Sequence, residues 1–272
     1  MPGLLKPVDL SAYLAQQGEA EREFLRIFHA NEALVIFDIG ACEGEDSLRY
    51  ARRFPCAHVF AFEPLPANQT ITRANFNHYA VENAELISLA LSDRCGKATF
   101  HVSSGRPKDL FAGENWNYGN KSSSLLAPTA NQPMHGWIEF KTAITVRTDT
   151  LDRFCAQRGL RHIDFIQMDV QGAEQLVLNG AAAMLPHITA IWMEVSRQEL
   201  YRGQTLDRDL ARFMRRHGFR LAYSTYREDG VEGDHLYLNL RHARTWSYLV
   251  RRQLRKIAGR AKRALIHNPS QS

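Results

Sequence analysis

The stretch VIFDIGACEGED, residues 35–46, decides the fold of this chain. It begins as an apolar run and then breaks into two glycines and four acids. An apolar run that ends in glycine is typical of a strand buried on both faces of a parallel sheet. A glycine-rich turn after a first strand commonly holds a nucleotide, because the backbone can approach the ligand and the next helix offers free N–H groups.

Strand and helix patterns alternate along the chain from residue 34 onward. Short apolar runs predict strands at residues 33–40, 58–63, 84–91, 163–170, 188–195, 219–227 and 234–240. Helical patterns lie between most of them, at residues 46–54, 67–80, 173–185 and 206–218. This alternation predicts one doubly wound α/β domain over residues 34–240. In such a domain the ligand lies beyond the carboxyl ends of the strands.

Two segments do not fit the alternation. Residues 1–33 form an N-terminal segment, in which residues 10–30 predict one helix packed on the sheet edge or over the site. Residues 103–136 are rich in Gly, Ser, Asn and Pro, and so long a loop in a compact domain is usually functional or disordered. Its Trp116 and Tyr118 favour a substrate-covering loop over a solvated linker.

Composition excludes several classes of protein. The 272 residues contain no apolar run of about 18 residues, so no membrane-spanning helix is predicted. The N-terminus lacks the basic start and apolar core of a signal peptide. The four cysteines show neither a C-x-x-C spacing nor a grouping with histidines, which predicts a reduced, cytoplasmic protein without structural zinc.

The acids of the first turn argue against a phosphate-containing cofactor. The spacing is Asp38-x-Gly40-x-x-x-Gly44 rather than the G-x-G-x-x-G of dinucleotide-binding turns. Carboxylates would repel a pyrophosphate but attract the ammonium and sulfonium of S-adenosylmethionine. Glu63 ends the second strand, where an acid can accept both ribose hydroxyls. Taken singly, the turn could merely connect a strand to a helix, and Glu63 before Pro64 could be a solvated strand end.

Four blocks of sequence resemble the FkbM-type S-adenosylmethionine-dependent methyltransferases. They are VIFDIGACEGEDS, VFAFEPLPAN, ISLALSDRCGKATFHV and VRTDTLDRFCAQRGLRHIDFIQMDVQGAEQLVLNGA, followed by IWMEVS. The resemblance covers about residues 34–196. It implies a class I methyltransferase (Rossmann-like) fold, a seven-stranded, mostly parallel sheet with a reversed last strand. It also implies methyl transfer to oxygen, often to a hydroxyl of a sugar, a polysaccharide or a polyketide-type product.

The resemblance also implies a set of cofactor-binding residues. They are Asp38, Gly40, Ala41 and Gly44 in the methionine-binding turn, Glu63 and Pro64 at the ribose, Ser92 and Asp93 at the adenine, and Asp169. Asp93 could equally be a solvated turn residue. The chain departs from the family at Gln167, where members commonly have Lys, so a role that depends on that cation is in doubt.

Three residues near strand ends are candidates for the general base. A sugar hydroxyl is a poor nucleophile until a base takes its proton, and Asp169, Glu194 and His235 could serve. Each has a structural alternative: Asp169 could cap a turn, Glu194 could belong to a buried pair, and His235 could be a structural histidine at a strand start. Asp169 and Glu194 could also share Mg²⁺ with a substrate diol, but we favour metal-independent transfer.

The C-terminal tail, residues 241–272, contains nine Arg or Lys and no acid. The other 240 residues therefore carry 25 basic and 29 acidic groups, a net charge of −4 within the total of +5. Residues 244–266 predict a basic amphipathic helix with one apolar stripe, made of Trp246, Leu249, Val250, Leu254, Ile257, Ala258, Ala261 and Leu265. Such a helix can lie on an anionic membrane through residues 241–266, pack on its own domain, or bind another anion.

The sequence favours an O-methyltransferase that acts on a sugar or glycan, such as a lipid-linked polysaccharide at the inner membrane face. Methylation of RNA, protein or a polyketide-type molecule is the alternative within enzymes. Residues 1–240, which carry the net charge of −4, lack a basic surface interleaved with aromatic residues, so no nucleic acid partner is expected. A non-catalytic cofactor-binding module is the alternative outside enzymes.

Overall fold

The computed structural model describes residues 9–106, 118–129, 136–227 and 229–267. Its strands are β1 Val35–Ile39, β2 His58–Phe62, β3 Ala84–Ile87, β4 Ala90–Leu91, β5 Gly96–Ser104, β6 Glu139–Asp149, β7 Ile163–Met168, β8 Ile188–Ser196, β9 Phe219–Ser224 and β10 Glu232–Asn239. Its α-helices are α1 Ser11–Ala15, α2 Glu19–Phe24, α3 Glu45–Arg53, α4 Pro66–His78, α5 Leu151–Arg158, α6 Glu174–Asn179, α7 Asp207–Arg216 and α8 Ala243–His267.

Within the described residues, seven strands form the main sheet, in the order β3-β2-β1-β7-β8-β10-β9. The five neighbouring strands β3, β2, β1, β7 and β8 pair in parallel, whereas β10 is antiparallel to both β8 and β9. The predicted α/β fold with a mostly parallel sheet and a reversed last strand is therefore confirmed. The strand order reverses between β1 and β7, which places a crevice at their carboxyl ends.

Two apolar cores cover the two faces of this sheet. On one face, α5, α6 and α7 pack against residues such as Phe37, Ile39 and Met168. On the other face, α2, α3 and the start of α8 pack around Phe165 and Trp192. Because successive side chains of a strand point to opposite faces, the acids that end the strands are sorted between these two sides.

A second, smaller sheet was not predicted. β4 pairs with β6 in parallel, and β6 pairs with β5 antiparallel. The strand predicted over residues 84–91 is split between the two sheets, as β3 and β4. The small sheet encloses an apolar cluster with Leu65, Phe100 and Val146, next to the carboxyl end of β2.

Two predicted helices are shorter than expected, and each is interrupted at a glycine. The helix predicted over residues 10–30 is divided into α1 and α2, because extended Gly18 lies against the side chain of Arg49. The helix predicted over residues 173–185 stops at Gly180, where a Cβ atom would lie 2.1 Å from the carbonyl oxygen of Ser92. Both interruptions arise from tertiary contacts.

The C-terminal helix α8 extends over 25 residues, within the tail for which a helix was predicted. Across the parts of the chain that the structure describes, none of the helices has the length and apolar character needed to cross a membrane.

Candidate active site

The turn after β1 requires glycine for steric reasons. Gly40 has a φ of +90°, and a Cβ atom there would lie 1.9 Å from the carbonyl oxygen of Asp169. Gly44 has a φ of +80° at the start of α3, and a Cβ atom there would lie 2.7 Å from Cγ2 of Thr72. The N–H groups of Gly40 and Ala41 both donate to the carbonyl of Phe62, at 3.0 Å. The turn is therefore held against both neighbouring strands.

Glu63 is fixed beside this turn at the end of β2. Its carboxylate accepts hydrogen bonds from the N–H of Cys42, at 2.9 Å, and from the N–H of Leu65, at 2.7 Å. The side chain is buried, and burial raises the pKa of Glu63 to about 8. Its position agrees with the sequence prediction of an acid next to the glycine turn.

Two cavities lie at this edge of the sheet and share several residues. The first has a volume of about 520 Å³ and is lined by Gly40, Glu63, Pro64, Leu91, Phe100 and Asp169, among others. The second, of about 480 Å³, is polar and is lined by Asp38, Ala41, Glu45, Gln167 and Asp169, among others. Asp169 borders both cavities.

The acids of the turn have different roles. Asp38 is buried and accepts a hydrogen bond from the hydroxyl of Ser47, at 2.5 Å, and burial raises the pKa of Asp38. Glu43 accepts from the amide of Asn120, at 2.9 Å, and Glu45 forms an ion pair with Lys121. One carboxylate oxygen of Glu43 and one of Glu45 are buried without a hydrogen-bond partner in the described structure. The unpartnered oxygen of Glu45, which lines the polar cavity, is suited to accept a hydrogen bond from a cationic group.

Asp46 instead ties the N-terminal segment to the sheet. Its carboxylate accepts hydrogen bonds from Tyr13 at 2.6 Å, from Arg49 at 2.8 Å and from the side-chain amide of Gln167 at 2.7 Å. The carbonyl oxygen of Gln167 accepts from the hydroxyl of Tyr50. A lysine at position 167 has no acceptor for that hydroxyl. The network thus gives a structural reason for Gln167.

Part of the predicted covering loop lies against the site. Asn120 and Lys121 belong to a short 3₁₀-helix, Tyr118–Ser122, and both line the first cavity. The hydroxyl of Ser124 donates to the carbonyl of Gln171, at 2.8 Å. Trp116 lies outside the described residues.

Ser92 and Asp93 are not brought to the cavities. The lining of the first cavity includes Ala90 and Leu91 but neither Ser92 nor Asp93. Asp93 is paired with the guanidinium of Arg94, at 3.0 Å, and this pairing lowers the pKa of Asp93. The geometry of Asp93 therefore agrees with the alternative of a turn residue.

Asp169, directly after β7, and Glu194, near the carboxyl end of β8, come together. The side-chain amide of Gln171 donates to both of them, at 2.6 Å to Asp169 and at 2.8 Å to Glu194. Burial raises the pKa of each carboxyl group, and their mutual repulsion adds to the effect for Glu194. Glu232 and Asp234, which begin β10, lie on the same side, and burial raises the pKa of Asp234 to about 6.

Gln171 was missed by the sequence analysis. Its φ of +55° is uncommon for a residue other than glycine. Its side-chain carbonyl accepts from the hydroxyl of Tyr201, at 2.9 Å. Glu174, two residues beyond Gly172, accepts from the N–H groups of Val170 and Gly172. Glu174 therefore satisfies this turn, which leaves Asp169 available to face the cavities.

His235 is separated from Asp169 and Glu194. It is buried next to Tyr226 and Tyr237, and its Nδ1 lies 3.1 Å from the hydroxyl of Tyr237. Burial lowers the pKa of His235 to about 4. Because His235 directly follows Asp234 along β10, it points to the opposite face of the sheet. The structure therefore does not place His235 with the other two candidate bases.

A family model described as a methyltransferase FkbM domain matches residues 38–221. The chain belongs to the FkbM methyltransferase family. It is therefore an S-adenosylmethionine-dependent methyltransferase, as the resemblance implied.

Individual relatives show how close the similarity is. The 2-O-methyltransferase NoeI of Sinorhizobium fredii is 38% identical over 205 residues, which are 75% of this chain and 79% of that protein. The 31-O-demethyl-FK506 methyltransferase FkbM of Streptomyces tacrolimicus is 27% identical over 198 residues, 68% of this chain and 72% of that protein. A solved rRNA methylase of Streptococcus thermophilus has a TM-score of 0.46 at 10% identity, covering 82% of this chain and 97% of that chain.

The residues of this FkbM-family protein fit S-adenosylmethionine. The unpartnered oxygen of Glu45 belongs to a side chain that lines the acidic, polar cavity, which suits an ammonium and a sulfonium. The more apolar cavity beside Glu63 suits a nucleoside. Among the side chains that the structure describes, no group of three or more His, Cys, Asp or Glu is arranged to hold a metal ion.

Burial of Glu63 makes the stability of the cofactor-free protein depend on pH. With a pKa of about 8 in the folded state and 4.5 as its usual value, Glu63 holds more proton in the folded than in the unfolded chain between these pH values. Its contribution is therefore fully present below pH 4.5 and is lost as the pH rises through 8. We expect the Tm to fall over this interval, and to fall less in Glu63→Gln. Calorimetric melts that give both proteins the same pH dependence would contradict this assignment.

Proposed function

We propose that this FkbM-family enzyme transfers a methyl group from S-adenosylmethionine to a hydroxyl oxygen of a sugar-containing acceptor. One observation carries the proposal: Asp169 and Glu194 form a carboxylate pair that is bridged by Gln171, and Asp169 lines both cavities. A hydroxyl acceptor needs a base, and a carboxyl group with a raised pKa is suited to that task near neutral pH.

The polar cavity is proposed to hold the methionine part of the cofactor. Asp38, Gly40, Ala41 and Gly44 would shape this part of the site, with the acidic side chains of the turn attracting the positive charges. Glu63 would accept hydrogen bonds from the ribose hydroxyls, and Pro64 would line the nucleoside cavity with Leu91. Residues 118–129 support the proposed substrate cover, because Asn120 and Lys121 already line the site.

Asp169 is the proposed general base. When bound, S-adenosylmethionine supplies an electrophilic methyl group on a sulfonium. Asp169 borders both cavities, whereas Glu194 lies behind it next to Asp234. The acceptor hydroxyl would give its proton to the carboxylate of Asp169 as its oxygen attacks the methyl carbon. Glu194 would hold Asp169 in place through Gln171. No metal ion is required by this arrangement.

The edge of the sheet that carries Asp169 and Glu194 favours, as methyl acceptor, a neutral molecule with many hydroxyl groups. Asp169, Glu194, Glu232 and Asp234 offer several oxygen acceptors on one side of the sheet. Such a surface repels phosphates and accepts hydrogen bonds from hydroxyls. The relative from Sinorhizobium fredii is named a 2-O-methyltransferase, which adds support for oxygen as the acceptor atom.

Transfer of a labelled methyl group tests the proposal. The purified enzyme would be incubated with labelled S-adenosylmethionine and separate sugar, lipid-linked glycan, RNA, protein and polyketide fractions. We expect label in a sugar-containing fraction, in a linkage that resists mild base as an ether does. Label only in RNA or protein, or in a base-labile ester, would overturn the sugar acceptor. Cofactor binding without transfer to any fraction would favour a non-catalytic module.

Substitution of Gln171 tests how the carboxylate pair is held. The Gln171→Ala variant loses two hydrogen bonds that stabilise the charged forms of Asp169 and Glu194, so their pKa rises. We expect the acid limb of the kcat/KM profile to move about one pH unit upward, with cofactor affinity unchanged. Tyr201→Phe removes the hydroxyl that contacts both the side-chain carbonyl of Gln171 and the backbone carbonyl of Ser122, and should give a smaller shift in the same direction. An unmoved acid limb in both variants would contradict the role of Gln171.

A further inference from the structure

The C-terminal helix α8 contacts the domain through one side of its first turns. Tyr248 is fully buried, and its hydroxyl donates to buried Glu23 at 2.5 Å. Thr245 is buried as well. Arg244 forms an ion pair with Glu32, at 2.7 Å. These contacts fix which side of α8 faces the body of the protein.

Four residues of the predicted apolar stripe face the opposite way. Trp246, Val250, Leu254 and Ile257 are 50%, 57%, 60% and 53% exposed. At about 100° per residue their directions fall within about 80° of one another, and Tyr248 lies about 160° from the centre of that arc. The stripe is therefore not covered by the domain, and the alternative that α8 packs on its own domain through this stripe is wrong for these four residues.

Charge decides what kind of partner fits the stripe. Arg255 and Lys256 are exposed on the same turns of α8 as Leu254 and Ile257, but on other faces of the helix. The tail contains nine basic residues and no acid, so a second copy of the helix would be repelled. A nucleic acid would match the charge but would leave the apolar side chains in water. Only a surface that is both anionic and apolar matches both features.

We propose that α8 binds in the plane of a membrane that contains anionic lipids. The stripe would enter the boundary between headgroups and acyl chains, and the basic side chains would contact the headgroups. The buried contacts of Tyr248 with α2 would hold the domain at the surface. This proposal does not depend on the identity of the methyl acceptor.

Vesicle binding by the full chain tests the proposal. We expect it to sediment with phosphatidylcholine vesicles that contain about 30% phosphatidylserine, and roughly tenfold less with phosphatidylcholine alone. About 0.5 M salt should weaken binding, because it screens the basic residues. The stripe variant Leu254→Gln/Ile257→Gln should lose binding at least about tenfold, while it binds S-adenosylmethionine as the wild type does.

Charge variants provide a matched comparison. Arg255→Gln/Lys256→Gln should weaken vesicle binding, whereas Arg208→Gln/Arg212→Gln, with the same loss of charge on α7, should not. Equal loss in the two charge variants, or an unaffected stripe variant, would overturn the proposal. So would a wild type that ignores the vesicles and forms dimers through the stripe, or that binds nucleic acid in their place.

Discussion

Asp169→Asn should abolish most of the turnover. The amide keeps the size of the side chain and can still accept a hydrogen bond, but it cannot take the proton of an acceptor hydroxyl. General-base catalysis is worth roughly 10²- to 10⁴-fold, and we expect kcat to fall by that factor. Calorimetry should show cofactor affinity within a few-fold of the wild type, because the substitution is nearly isosteric. The measurement is single-turnover transfer of labelled methyl to the acceptor found in the screen.

The same substitution at Asp93 is the matched control. Asp93 lies outside the cavities and is paired with Arg94, so Asp93→Asn should retain full turnover and cofactor affinity. Glu194→Gln should lower kcat less than Asp169→Asn does. A larger loss in Glu194→Gln would transfer the role of base to Glu194, and normal turnover in both would exclude the pair from the chemistry.

Glu63→Ala should cause the largest loss of cofactor affinity. In the proposed site its carboxylate accepts hydrogen bonds from the two ribose hydroxyls. Above pH 8, where the carboxyl group of Glu63 is charged, a hydrogen bond to it is worth about 1.5–3 kcal/mol, so two of them correspond to a rise in Kd of roughly 10²- to 10⁴-fold. Titration calorimetry with S-adenosylmethionine measures this directly.

Glu63→Gln separates binding from folding in this test. Glu63 also holds the N–H groups of Cys42 and Leu65, and the Gln side chain retains one acceptor oxygen for them. We expect an intermediate Kd and a Tm no lower than that of Glu63→Ala. Wild-type affinity in the two variants would show that the ribose is bound elsewhere.

The central strands and the glycine turn could be predicted because their signals are local. An apolar run that ends in Gly40 implies a buried strand and a close backbone approach, and the structure shows that approach to Asp169. The position of Glu63 beside this turn could also be predicted, because the carboxyl ends of parallel strands meet at one edge of the sheet.

The missed features depend on contacts between distant parts of the chain. The role of Asp46 could not be predicted, because Tyr13 and Gln167 meet it from opposite ends of the sequence. Gln171 gave no sequence signal, because neither its positive φ nor its position between two carboxylates follows from periodicity. His235 was a candidate because it lies near a strand end, whereas the face that its side chain occupies followed only from the structure.

A crystal structure of the protein with S-adenosylhomocysteine tests the central assignment most directly. We expect the ribose hydroxyls to lie within hydrogen-bond distance of Glu63, the methionine part to lie beside Asp38 and Gly40, and the sulfur to face Asp169. A ligand bound away from Glu63, or one whose sulfur faces away from Asp169 and Glu194, would contradict it.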